Sequence, residues 1–210
     1  MSVQSWNDLG THPARYFAIH PSGTDPVMFS ETGLQCCREL VRILEDLNIP
    51  KPLTLMDYGC GTARVLRHFD DYEGITACGV DIVPEFVEEC KKMNLNAETL
   101  EEFTEQVDVI FSLTVFIHLN KKNGKKAMEY CWDHLKPGGV ALLQIPIYDE
   151  EVEPETYTHV GVWVEPHLRG VAENMGFIVQ ELRASPGKFD YDNIGINHGF
   201  YQRFKKPLLY

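Results

Sequence analysis

The chain has 210 residues, a formal charge of −12, and 44% hydrophobic against 24% charged residues. That length suits one domain with a sizeable core, and no apolar run reaches the roughly 20 residues of a membrane span. The acidic balance argues against a nucleic-acid partner, because the one basic cluster, KKNGKK, is small and such a partner needs a positive footprint.

Residues 1–32, rich in turn formers and aromatics, read as an irregular N-terminal arm. MSVQSWNDLG lacks the basic and apolar regions of a secretory leader, so the expected compartment is the cytoplasm. The six cysteines are scattered without a CxxC pair and read as free thiols rather than a disulfide frame or a zinc site. From Gly33, apolar residues at Leu34, Cys37, Leu40, Val41, Leu44 and Leu47 predict a helix that Asn48, Pro50 and Pro52 end.

An alternation follows. LTLMDY (53–58) predicts a strand and ARVLRHF a helix. ITACGVD (75–81) predicts a strand, and Pro84 opens a helix through Lys92. A short strand is expected near Asn96 to Leu100. VDVIFSL (107–113) is a continuous apolar strand, NKKNGKKAMEYCWDHL a helix, Pro137-Gly138-Gly139 a turn and VALLQIPI (140–147) a strand. Strands that are apolar on both faces and separated by helices predict a doubly wound, mostly parallel α/β sheet with helices on both faces. Residues 148–164 form an insertion. Glu165 to Met175 predicts a helix, and FIVQELR (177–183) and His198 to Phe204 predict strands that pair antiparallel. The expected organisation is a single domain over 1–210, with arm 1–32, core 33–147, insertion 148–164 and a C-terminal part 165–210.

The glycines of LMDYGCGTARVL carry the chemistry. In such a sheet, ligands sit at the carboxyl ends of the strands. Gly59 and Gly61 follow the first strand, where a tight turn without Cβ atoms lets a ligand approach. The helix expected next would point its N–H groups at the same spot. Asp81 ends the second strand, where a carboxylate can accept both hydroxyls of a ribose. The dinucleotide pattern GxGxxG would need a third glycine where Arg64 stands. Asp57, two residues before Gly59, suits a ligand bearing an ammonium group better than one with two phosphates.

LMDYGCGTARVL, then ACGVDIVPEFVEEC, VDVIFSLTVFIHL and HLKPGGVALLQIP, resemble in order and spacing the class I S-adenosylmethionine-dependent methyltransferases. The resemblance implies a seven-stranded sheet with an antiparallel last strand, S-adenosyl-L-methionine as cofactor and S-adenosyl-L-homocysteine as product. By position it implies that Asp57, Gly59, Cys60 and Gly61 line the methionine part. Asp81 would hold the ribose, with Ile82 on the adenine. Asn96 falls at the place of the adenine contact with Glu98 nearby, and Ser112 and Leu113 would lie beside the sulfonium. Ala63 stands where a glycine is frequent.

A base is needed only where the acceptor holds its proton at neutral pH. His118, beyond the fourth strand, is the first candidate. It could instead cap the helix beginning near Asn120 or pack under the arm. His20 is the second candidate, His159 and His167 are weaker, and His134 reads as structural. Tyr16, Phe17, His20 and Phe29 of the arm, with Tyr148, Glu153, Glu155, Tyr157, His159 and Trp163 of the insertion, are expected around the acceptor. The segment Ser112-Leu113-Thr114-Val115 differs from the Asn/Asp-Pro-Pro-aromatic stretch of enzymes that methylate amino groups of DNA bases. No Pro-Cys nucleophile and no metal motif occur. The expectation is N- or O-methylation of a small polar metabolite, by a monomer or homodimer. The alternatives are a protein, peptide or RNA acceptor, or a silent cofactor-binding module.

Overall fold

The computed structural model describes Asp8, residues 25–145, Ile147, residues 163–182 and residues 201–208. Seven strands form one sheet in the order β3-β2-β1-β4-β5-β7-β6. The contacts divide the chain into two units, one containing residues up to Phe103 and the other beginning at Thr104.

The first unit opens with helix α1, Pro26–Asp46. The helix starts seven residues before the expected Gly33, because Asp25 and Pro26 form its cap. The Asp25 carboxylate accepts from Val27 N–H at 2.9 Å and Met28 N–H at 3.2 Å, and Pro26 fits the first turn. Phe29, expected near the acceptor, belongs instead to the buried stripe of α1, with Cys36, Cys37, Leu40 and Leu44. Strands β1 (Leu53–Tyr58), β2 (Ile75–Asp81) and β3 (Ala97–Thr99) pair in parallel, with Asp57 opposite Gly79 and Asp81 opposite Thr99. Helix α2, Pro84–Lys92, links β2 to β3 and buries Phe86, Val87 and Cys90.

The helix expected at ARVLRHF does not form. Residues 61–65 are a turn, and Leu66–Asp71 is a short 3₁₀ helix. The cause is local: Ala63 has φ +62°, outside helical geometry. Arg67 fastens the turn by donating to Ala63 O at 2.8 Å and Thr62 O at 2.7 Å.

The second unit contains β4 (Val107–Ser112), a 3₁₀ turn (Phe116–His118), α3 (Lys121–His134), β5 (Leu135–Gln144), α4 (Glu165–Asn174), β6 (Ile178–Glu181) and β7 (Tyr201–Lys205). β4 and β5 are parallel, while β7 pairs antiparallel with both β5 and β6. The turn expected at Pro137-Gly138-Gly139 lies inside β5. Val107 pairs with Leu135 but Val109 with Val140, so these residues form a bulge. Gly138 takes φ +84° there and donates to Lys206 O at 2.9 Å. All six cysteines are buried and free of disulfides. Among the described residues, no helix is long and apolar enough to cross a membrane.

Gly33 is where α1 meets the glycine turn. A Cβ at this position would lie 1.9 Å from the Arg64 carbonyl oxygen, a backbone atom that cannot swing aside. Gly33→Ala is expected to cost on the order of 2 kcal/mol despite alanine's better helix propensity. Urea unfolding monitored by circular dichroism reads this, and an unchanged midpoint would count against the packing.

Candidate functional site

In the first unit, the carboxyl ends of β1 and β2 bring Asp57, Gly59, Cys60, Gly61 and Asp81 together. Gly59 and Gly61 both take left-handed conformations, with φ +78° and +54°, which only glycine adopts without strain. The Val80 carbonyl accepts from Gly59 N–H at 2.8 Å and Cys60 N–H at 3.1 Å. Asp81 Oδ2 accepts from Gly61 N–H at 2.8 Å, and its Oδ1 from Val83 N–H at 2.9 Å. All three turn amides are therefore engaged within the protein, and the segment that follows is no α-helix. The expectation that a helix N-terminus faces the ligand is corrected: the anion-binding device of a dinucleotide fold is missing from this turn.

The carboxylates are buried. Asp57 is 4% exposed, and burial pushes its carboxyl up to about 8; Arg64 opposes the rise and Asp81 adds to it. Asp81 is 7% exposed, and burial raises it to about 6, held down by backbone N–H bonds from Val83, Gly61 and Ile82. A neutral Asp57 next to an ionised Asp81 is the expected state of this turn near pH 7.

Cys60 turns its side chain inward. Its thiol meets Cys90 in a cluster with Leu66, Val87 and Ala97, and that hydrogen bond and burial push its pKa up. The Cys60 sulfur therefore faces the core, while its backbone N–H donates to Val80 O at 3.1 Å and its carbonyl accepts from Ala63 N–H at 3.0 Å. Ile82 is 40% exposed just past β2. Asn96 is exposed and precedes β3, its carbonyl accepting from Gly79 N–H at 2.9 Å. It therefore sits three positions behind Thr99, the partner of Asp81, while Glu98 lies opposite Val80.

In the second unit, Ser112 ends β4 fully buried, and Leu113 is half-buried. His118 closes the 3₁₀ turn, half-buried, with Phe116 and Ile117 buried before it. It does not cap α3: the Asn120 side chain does, accepting from Asn123 N–H at 2.9 Å. His134 bonds Tyr130 O through Nδ1 at 2.9 Å, and His167 packs on the buried Trp163. Tyr16, Phe17, His20, Tyr148, Glu153, Glu155, Tyr157 and His159 lie outside the described residues. Among the described residues, no group of three His, Cys, Asp or Glu could hold a metal ion.

Three residues escaped the sequence reading. Thr62 Oγ1, in the glycine turn, is buried without a hydrogen-bond partner among the described residues. Thr114 has φ +58°, and its N–H is held by the buried Gln144 side chain at 2.8 Å. The available signal was a glutamine inside the apolar run VALLQIPI, since a buried carboxamide must be bonded to something.

A family described as methyltransferase domain matches residues 28–182. The chain is 25% identical over 124 residues to the phosphoethanolamine N-methyltransferase of Plasmodium falciparum (isolate 3D7), covering 54% of this chain and 46% of that relative. The chain thus matches less than half the length of that curated relative. Among solved structures, it is similar to magnesium protoporphyrin IX methyltransferase from Synechocystis PCC 6803 with bound S-adenosylmethionine. The TM-score is 0.64 at 16% identity, over 97% of this chain and 95% of that one. It is also similar to DesVI of Streptomyces venezuelae, with TM-score 0.62 at 13% identity, over 83% and 92%. The chain belongs to the methyltransferase-domain family, and its fold is that of the class I S-adenosylmethionine-dependent methyltransferases.

Proposed function

We propose that the chain transfers a methyl group from S-adenosylmethionine to nitrogen or oxygen of a small polar metabolite. The observation that supports this most is the Asp81 carboxylate bonded to Gly61 N–H across 20 residues of sequence. It ties an acid to a turn from which two Cβ atoms are missing. The two Asp81 oxygens accept from Gly61, Val83 and Ile82 N–H and have lone-pair capacity left for a ribose hydroxyl. Asp57 would meet the ammonium of the methionine part, and the Thr62 hydroxyl, without a hydrogen-bond partner among the described residues, would offer a further polar contact. Ile82 and Glu98 would flank the adenine, and Ser112 and Leu113 the sulfonium. The bound cofactor supplies a methyl carbon activated by its positive sulfur. The chain then has to position the acceptor and, for an amine or hydroxyl, remove one proton. His118 is the residue proposed for that proton. The substrate named for the curated relative makes phosphoethanolamine one of the first acceptors to try.

Calorimetric titration with S-adenosylmethionine, S-adenosylhomocysteine and NAD tests the cofactor. Micromolar binding of the first two alone is expected, and NAD binding alone would sink the reading. A panel of amines and hydroxyl compounds, assayed by mass spectrometry, then separates a small-molecule enzyme from a silent binding module. Transfer only to peptide or RNA would favour the macromolecular alternative.

Asp57 makes binding pH-dependent. With its carboxyl near 8 in the free protein, it is mostly protonated at pH 7. A cation placed against it lowers that value, so binding releases a proton and affinity rises with pH until about 8. Titrations in buffers of different ionisation enthalpy read the proton directly. Asp57→Asn is expected to release none and to bind with little pH dependence.

In the free protein the folded value lies above the ordinary 3.8. Asp57's contribution to stability is therefore complete below 3.8 and is lost as pH rises through 8. The melting temperature is expected to decline less with pH in Asp57→Asn.

Asp81→Ala is expected to weaken S-adenosylmethionine binding by about 1.5–3 kcal/mol, the worth of charged hydrogen bonds. Unchanged affinity would remove Asp81 from the site. His118→Ala is expected to keep cofactor affinity and to slow turnover on the acceptor found in the panel by about 100-fold or more. Normal turnover would return His118 to a packing role.

A further inference from the structure

We infer that Gln144 is a positioning residue for this transfer: its carboxamide sets the direction in which the chain leaves β4 toward His118. The inference rests on the function proposed above. β4 ends at Ser112, and two residues later Thr114 has φ +58°. A β-branched residue in the left-handed region is an outlier, kept only where its surroundings impose it, and such conformations gather at functional sites. Thr114 Oγ1 donates locally to Leu113 O at 2.7 Å, and the contact reaching it from another strand is Gln144 Oε1, which accepts Thr114 N–H at 2.8 Å.

Gln144 is well placed to impose it. It is the last residue of β5 and 7% exposed. Ser112 pairs with Leu143, so Gln144 lies one step further along the same carboxyl edge. The chain leaving β5 is tied as well: Gln202 of β7, fully buried, donates through Nε2 to Ile145 O at 3.0 Å. Gln144 is therefore an anchored arm rather than a loose one.

The segment it controls is short and fastened at its far end. Phe116 is 0% and Ile117 3% exposed, and His118 N–H bonds Val115 O at 3.0 Å. Asn120 then caps α3. Between Ser112 and this buried turn, Thr114 is the joint. A relaxed φ at Thr114 would redirect the Leu113 peptide and the path to His118. In a doubly wound sheet this carboxyl edge is where ligands bind. A strained joint latched by a side chain from the next strand there fits a positioning role.

The test uses the full chain, with S-adenosylmethionine as the probe. Wild type is compared with Gln144→Met, Thr114→Gly and the double variant. Methionine keeps the volume and removes the acceptor, while glycine adopts a positive φ unaided. Calorimetry gives the dissociation constant, and amide exchange gives the protection of residues 113–119. Gln144→Met is expected to bind about tenfold more weakly, the scale of the strain that the latch holds, and to lose protection over that segment. Thr114→Gly is expected to match wild type. The double variant is expected to return to within about threefold of wild type, because glycine needs no latch.

A glutamine that merely fills the core would shift melting without that rescue. Wild-type affinity and protection in Gln144→Met, or a double variant no better than the single one, overturns the inference. A wild type that fails to bind S-adenosylmethionine overturns the functional reading itself, and that arm is read first.

Discussion

Asp81 is a buried carboxylate whose oxygens accept from Gly61 N–H at 2.8 Å and Val83 N–H at 2.9 Å. A carboxylate taken out of water is costly unless backbone donors replace its hydration. Here they do, and the same bonds organise the backbone. One oxygen closes the glycine turn after β1, and the other fixes the start of the connection to α2. The exits of two adjacent strands are therefore set by a single side chain. The left-handed Gly59 and Gly61 lie between these fixed points, so the turn is shaped before any ligand arrives.

The rest of the first unit supports that turn from below. Arg64 is buried, and its carbonyl fills the notch at Gly33 of α1. Arg67 binds the carbonyls of Thr62 and Ala63 from the other side. Cys60 and Leu66 fill the space against Gly79, where a Cβ would lie 2.7 Å from Cys60 Sγ and 2.7 Å from Leu66 Cδ2. Positive φ thus explains the glycines within the turn, and close packing against a backbone carbonyl or a side chain explains Gly33 and Gly79 around it. Close packing also explains how Ala63 keeps φ +62° although it carries a Cβ: its methyl is fully buried in the apolar cluster. The electrostatics follow from the same burial. Asp57 and Asp81 differ in the number of N–H donors facing them, so their carboxyls rise to about 8 and about 6 respectively.

The second unit secures its strand exits with amides instead of a charge. Gln144 and Gln202 are buried carboxamides at the carboxyl end of β5, and each satisfies a backbone group that leaves the sheet. At the opposite end, Lys206 gathers the carbonyls of Trp132 and Leu135 while lying over the Trp132 ring, which joins α3 to β5 without a loop. The Pro137–Gly139 bulge absorbs the extra residues.

By itself, the sequence determined the α/β alternation, the parallel core strands and the antiparallel pair at the tail, because periodicity and strand-length apolar runs are local properties. Its spacing and residue types also led to Gly59, Gly61 and Asp81 being expected together, and the structure brings Gly61 N–H onto the Asp81 carboxylate. Tertiary structure decided the rest, for reasons no local window contains. ARVLRHF has helical composition, but left-handed Ala63, buried Arg64 and the arginine on the turn carbonyls make it a 3₁₀ connection. PGG reads as a turn until Lys206 pairs with it and makes it a bulge. The Asp25–Pro26 cap was legible in principle, but the surrounding turn formers and aromatics hid it. Thr114 carries no local sign of a left-handed conformation; Gln144, 30 residues away in sequence, supplies the hydrogen bond that holds it there. Hydrogen bonds and packing between distant segments override local preference wherever a buried polar group has one partner within reach.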